Sequence, residues 1–119
     1  MKVWSDPSIL QSVPNTCPAH HHIMKCPELT FYGFPEQPDC GTVTVDMVPT
    51  DMTIELKSLK NYFKQFRNMH ISYERILNTI FEDLSTIYKP RYLEVTIDMQ
   101  PRGGISSILH KQVMWVGRK

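Results

Sequence analysis

Three groups of residues have types and spacings suited to chemistry. The first is basic. Lys57, Lys60, Lys64 and Arg67 recur at three, four and three residues, so on a helix they share one face, with Asn61 beside them. Cations converging within a turn or two suit the phosphates of a nucleotide or cofactor; the alternative is a solvated helix surface. Arg102, followed by two glycines that let backbone approach a ligand, is a further candidate. The second group is Cys17-Pro-Ala-His20-His21-His22-Ile-Met-Lys-Cys26. Its Cys and His are zinc-ligand types, although the spacing matches no standard finger. On a strand His20 and His22 share a face and His21 points away. The third is Gln37-Pro38-Asp39-Cys40, a carboxylate beside a thiol. That pair suits acid–base or nucleophilic work, or else Asp39 is a turn residue capping local backbone.

The elements that must position these groups follow from hydrophobic periodicity. Seven prolines fall within the first 49 residues, so the early chain reads as extended segments and turns. A first strand is expected over residues 20–31. Val43, Val45 and Met47 alternate with Thr42, Thr44 and Asp46, a half-buried second strand stopped by Pro49. From Leu56 the period becomes helical through Leu59, Phe63 and Phe66. Ser72 has the character of an N-cap, with Glu74 in the first turn. Ile76, Leu77, Ile80, Leu84 and Ile87 form the stripe of a second helix that Lys89-Pro90 ends. Leu93, Val95, Ile97 and Met99 mark a third strand, Pro101 to Gly104 a turn, and residues 105–116 a fourth strand. The order ββααββ predicts an α+β domain: a four-stranded antiparallel sheet with both helices on one face. The other face, left uncovered, is expected to be apolar and to favour oligomerisation.

Composition sets bounds. With 119 residues the chain is one domain, 1–119, whose first 19 residues form an extended N-terminal segment. Apolar residues at 41% and charged residues at 21% are ordinary globular values, and a net charge of +1 gives no bulk case for nucleic acid. No apolar run approaches the ~20 residues of a membrane span, and the opening MKVWSDPSIL lacks an apolar signal core, so a cytoplasmic protein is expected. Three cysteines, an odd number, argue against a disulfide framework.

The segments CPELTFYGFPEQPDCGTVTVDMVP (26–49), ELKSLKNYFKQFRN (55–68), Ser72-Tyr73-Glu74 and PRYLEVTIDMQPRGGIS (90–106) resemble the short form of QueF. That family is the NADPH-dependent 7-cyano-7-deazaguanine reductases of queuosine biosynthesis. The resemblance covers roughly residues 23–108. It implies a tunnelling fold whose subunits associate into homo-oligomers with active sites at their interfaces. It implies that the ELKSLK segment, with Lys57, Ser58 and Lys60, and Arg102 contact NADPH. It implies that Glu74, with Tyr73 and Glu55, binds the deazapurine base, and that Asp39 is the general acid.

Two positions depart from the pattern. The family's nucleophilic cysteine precedes the aspartate by a short interval that falls here on Tyr32 or Gly33, and a phenol with pKa about 10 is a poor stand-in for a thiol. The family's His before the base-binding Glu is Tyr73. Cys40 takes over the attack, Cys26 reaches the site through a folded loop, or no thioimide forms. Three functions therefore stay open: a nitrile reductase, another purine- or pterin-handling enzyme of the same fold (similar to GTP cyclohydrolases, which use zinc on Cys and His), and a non-catalytic base-binding protein. For the reductase the expected metal set is none.

Overall fold

The computed structural model describes residues 5–33 and 37–118, with the side chains of Gln37 and Arg102 left out of the description. The strands are β1 (Ser12–Pro14), β2 (His22–Gly33), β3 (Gln37–Val48), β4 (Met52–Ile54), β5 (Tyr92–Arg102) and β6 (Ile105–Met114). The helices are α1 (Leu56–Lys64), prolonged by a 3₁₀ turn over Gln65–Asn68, and α2 (Tyr73–Tyr88). A four-stranded antiparallel sheet runs in the order β2-β3-β5-β6, and β1 pairs with β4 in a separate two-stranded ribbon. Among the described residues no helix is long and apolar enough to cross a membrane.

Alternation decides which residues meet the helices. Val43, Val45 and Met47 of β3 and Leu93, Val95, Ile97 and Met99 of β5 are buried against Tyr62, Phe63, Phe66, Ile76, Ile80 and Leu84. Tyr62 locks the two helices together by donating to an Asp83 carboxylate oxygen at 2.6 Å, and Tyr88 donates to the Gln11 carbonyl at 2.6 Å. Burial and the Asp83 charge drive the Tyr62 phenol far above its ordinary pKa, while burial pushes Tyr88 up to about 12.

The observed elements correct several expectations. β2 starts and ends two residues later than expected, and β3 begins five residues earlier, at Gln37, which takes Asp39 and Cys40 into the strand. Leu56 and Ile87, assigned to the apolar stripes, are 56% and 39% exposed, and Ser58, Tyr62 and Tyr88 are buried in their helices. Tyr has an apolar body whose hydroxyl found a partner, so a helical stripe counted without tyrosine was misplaced by part of a turn. The uncovered sheet face is mixed: Ile23, Ile108 and Met114 stand exposed on it beside many polar residues. It carries Thr42, Thr44, Asp46, Glu94, Thr96, Asp98, His110 and Gln112, tied by His21 Nδ1 to Asp46 at 2.7 Å and His110 Nδ1 to Glu94 at 3.4 Å. The expected apolar face is present only in part: the polar halves of β3 and β5 fill its centre, and its exposed apolar residues, Ile23, Ile108 and Met114, come from the edge strands β2 and β6. Gly103 and Gly104, at φ +59° and +83°, close the two-residue β5–β6 hairpin, a turn that demands positive φ at both positions.

Candidate active site

The acid end lies at the start of β3. Asp39 pairs directly across from Phe31, so both side chains point to the helix side of the sheet. Asp39 is 4% exposed and Phe31 is fully buried. The Phe31 ring meets Tyr73 edge-on, at 5.9 Å between centroids and 86° between planes. Tyr73 opens α2, where the Ser72 hydroxyl accepts the Arg75 N–H at 3.3 Å. The segment ahead of α2 is fastened to the free edge of β2: Tyr32 N–H donates to the Met69 carbonyl at 2.9 Å, and Ile71 N–H to the Tyr32 carbonyl at 2.9 Å. The Tyr32 ring stacks on His70 at 5.2 Å. Phe31 thus links Asp39, its cross-strand partner, to Tyr73, and Glu74, next to Tyr73, stands exposed.

The thiols do not join that cluster within one chain. Cys40 follows Asp39 on the strand and is exposed on the uncovered face. Cys26 shares the helix-side face, but it pairs with Val43, four residues from Asp39, or roughly 13 Å along the strand. Tyr32 leaves β2 on the side opposite Phe31 and Asp39. Cys17 lies exposed before β2.

The cofactor-type residues sit at the start of α1. Both oxygens of Glu55 cap the helix, accepting Lys57 N–H at 2.9 Å and Ser58 N–H at 2.8 Å. These bonds hold the carboxyl below its ordinary range. Ser58 is buried, donates to the Glu55 carbonyl at 2.7 Å and accepts Gln11 N–H at 2.9 Å. Glu55 and Ser58, assigned to ligands from the motif, are therefore engaged with the fold. Lys57, Lys60, Lys64 and Arg67 are all exposed, and Lys60, Lys64 and Arg67 make no ion pair among the described residues. This donor set fits a phosphate-bearing cofactor through side-chain cations; the helix N-terminus is already taken by Glu55. The backbone of Arg102 closes the β5–β6 hairpin opposite Ile105, and its side chain lies outside the described residues.

The histidines diverge. His20 Nδ1 faces the Cys17 carbonyl at 2.5 Å, His21 turns to Asp46, and His22 Nδ1 lies 3.3 Å from Thr53 Oγ1. Among the described residues no three Cys, His, Asp or Glu side chains converge on a metal-sized centre.

A model described as "QueF-like protein" matches residues 38–114, well over half of the chain. This chain belongs to the QueF family. An NADPH-dependent 7-cyano-7-deazaguanine reductase of Chlorobium phaeobacteroides is 38% identical over 110 residues, covering 90% of this chain and 93% of the relative. The reductase of the same name from Pelodictyon phaeoclathratiforme is 52% identical over 69 residues, 58% of this chain and 60% of that protein's length. The crystal structure of the archaeosine synthase QueF-Like in the apo form superposes with a TM-score of 0.72 at 16% identity, over 77% of this chain and 91% of that one. That likeness establishes the tunnelling fold. In the QueF chain the contact between Phe31 and Tyr73 was not anticipated from sequence. Its only signal was the pair of aromatics flanking the two ends of a site.

Proposed function

We propose that this chain is a QueF-type oxidoreductase that uses NADPH to reduce the nitrile of a 7-deazaguanine base to an aminomethyl group. Membership of a family whose curated relatives are named NADPH-dependent 7-cyano-7-deazaguanine reductases supports the reaction class. The observation that carries the site is the burial of Asp39 across from Phe31, whose ring meets Tyr73 at the start of α2. In this reading Glu74 accepts hydrogen bonds from the ring N–H and amino groups of the base, and Tyr73 supports its plane. Asp39, shielded from water, supplies a proton to the nitrile nitrogen. Lys57, Lys60 and Arg102 hold the phosphates of NADPH, which supplies hydride.

No thiol stands with Asp39 inside one chain, so the site is completed by a second copy. Cys40 is the thiol presented on the open face. Its sulfur adds to the nitrile carbon while the proton goes to nitrogen, and two hydrides with accompanying protons then release the amine and regenerate the thiol. Incubation with 7-cyano-7-deazaguanine should add its mass to the protein before NADPH is supplied, and Cys40→Ala should abolish the adduct. NADPH consumption should require the nitrile and disappear in Asp39→Asn. Absence of both adduct and turnover would sink this reading.

A second reading has its own observation: Tyr32, packed on His70, occupies the interval at which the family carries its cysteine. It makes the chain a binding protein for the base without chemistry. Base binding that is lost in Glu74→Ala, with neither adduct nor product formed, would favour it.

A further inference from the structure

The three consecutive histidines that lead into β2 leave two of their rings side by side. Cys17, Pro18 and Ala19 form a turn in which Ala19, a residue with a side chain, takes φ +58°. The turn carries His20 back so that its Nδ1 lies 2.5 Å from the Cys17 carbonyl oxygen. A carbonyl only accepts, so this Nδ1 carries the proton and Nε2 keeps its lone pair. His22, two residues on, opens β2 with its Nδ1 3.3 Å from the Thr53 hydroxyl on β4. The ring centroids of His20 and His22 are 6.3 Å apart and their planes are tilted by 36°. Both residues are half-buried, which holds the rings and still leaves a path from solvent. His21 turns away to Asp46 at 2.7 Å.

We propose that His20 and His22 bind one divalent transition-metal ion of the copper, nickel or zinc class through their Nε2 atoms, clipping the N-terminal segment to the sheet. An ion about 2.1 Å from each nitrogen lets two imidazole centroids stand up to roughly 6.5 Å apart, so the observed spacing needs little movement. Each Nδ1 faces an oxygen of the backbone or of a neighbouring strand, the arrangement that orients metal-binding histidines. Imidazole nitrogen selects the class of ion: it suits copper, nickel and zinc, whereas magnesium and calcium take oxygen ligands. Two protein ligands are fewer than the three or four of catalytic and structural zinc, in keeping with the lack of a three-residue cluster among the described residues; water completes the coordination. The Cys17 thiol turns to the Pro18 carbonyl at 3.9 Å and stays outside the set. The pair is remote from the proposed acid. His22 pairs with Met47, eight residues along β3 from Asp39, or roughly 26 Å. It therefore stands whether or not the chain is a reductase.

The test uses the full-length chain without an affinity tag, stripped of metal with EDTA. Calorimetry should show one Cu²⁺ per chain, weaker Ni²⁺ and Zn²⁺, and no Mg²⁺. His20→Gln or His22→Gln should each weaken Cu²⁺ roughly tenfold or more, while His21→Gln leaves it unchanged. Nitrogen-15 NMR of the unsubstituted chain makes the result independent of how the variants fold. Zn²⁺ should shift the Nε2 signals of His20 and His22 and leave those of His21, His70 and His110 in place. Saturating Zn²⁺ should raise the thermal midpoint of the unsubstituted chain and not that of His20→Gln. Unchanged binding in the double His20→Gln, His22→Gln variant, or equal shifts at all five histidines, would overturn the site as nonspecific surface binding. A loss in Cys17→Ala as large as that in His20→Gln would make it a thiol site and reject the two-histidine assignment. Binding at the two rings with no rise in thermal midpoint would reject the clip.

Discussion

The two ends of the β2–β3 ribbon are built on opposite principles. At the Phe31–Asp39 end the acid lies under an aromatic cluster, clamped by the segment from Met69 to Tyr73 that hydrogen-bonds to the strand edge. At the Cys26–Val43 end the same ribbon opens into a cleft with the exposed Lys60 on its rim. The first end depends on packing between residues more than thirty positions apart in sequence. The second also joins distant segments, β2 and α1, but the basic face and cap of α1 themselves are short-range. Chemistry that needs a proton held away from water belongs at the first; recognition of phosphate, which needs mobile and hydrated cations, belongs at the second.

Mutations should separate the two ends by size of effect. Phe31→Ala should cost about 3–5 kcal/mol in urea unfolding, since it leaves a cavity under Asp39 and Tyr73, while Leu56→Ala at the exposed rim should stay within about 0.5 kcal/mol. Equal losses would erase the distinction. Gly41→Ala is expected next, at about 1–3 kcal/mol, because a Cβ there would come within 2.5 Å of the Asp98 carbonyl oxygen. A neutral Gly41→Ala would mean that β3 and β5 can part next to the acid. Ser72→Ala should cost about 1 kcal/mol by uncapping α2, and it should weaken base binding through Tyr73 and Glu74 more than it weakens NADPH binding. Equal weakening would argue that the two ends are coupled.

The smallest effect is a pH dependence confined to the cofactor end. Glu55 titrates below its ordinary 4.5 because Lys57 and Ser58 amides bond its charged form. Its contribution is present above that value and is lost as pH falls through the lower folded value. His22 titrates below 6.5, from burial first and then from His20, so its folded state favours the neutral ring. That contribution too is complete above 6.5 and lost on acidification. Glu55→Gln should flatten stability against pH below 4.5, and His22→Gln should flatten it below 6.5. A wild-type stability that rises on acidification through either window would reverse the assigned signs.

Much of this architecture was legible in the amino-acid order. Thr42 to Val48 and Leu93 to Met99 alternate cleanly because each has one buried and one wet face, and the four-stranded antiparallel sheet with both helices on one face follows from that order. Ser72 and Lys89-Pro90 bound α2 by local chemistry that needs no distant partner. β1 and β4 were not legible, since strands of three residues acquire their identity only by pairing with each other. Nor was the mixed character of the open face, for the same Thr and Asp residues would have read identically beneath a second layer.

For the candidate site the division is similar. Sequence alone determined that Lys57, Lys60, Lys64 and Arg67 share a helix face, because helical geometry is a property of spacing. Only the tertiary structure made Asp39 and Cys40 strand neighbours that point apart, since the alternation in sequence begins at Thr42 and pairing with β2 extends the strand back to Gln37. Only the tertiary structure decided that Glu55 and Ser58 serve the helix end, since capping depends on which amides the chain leaves unpaired. Only it decided that Asp39 lies buried with Phe31 and Tyr73 while Cys26 opens onto a cleft with Lys60. Burial is a property of what packs above a residue, and here that covering comes from segments far along the chain.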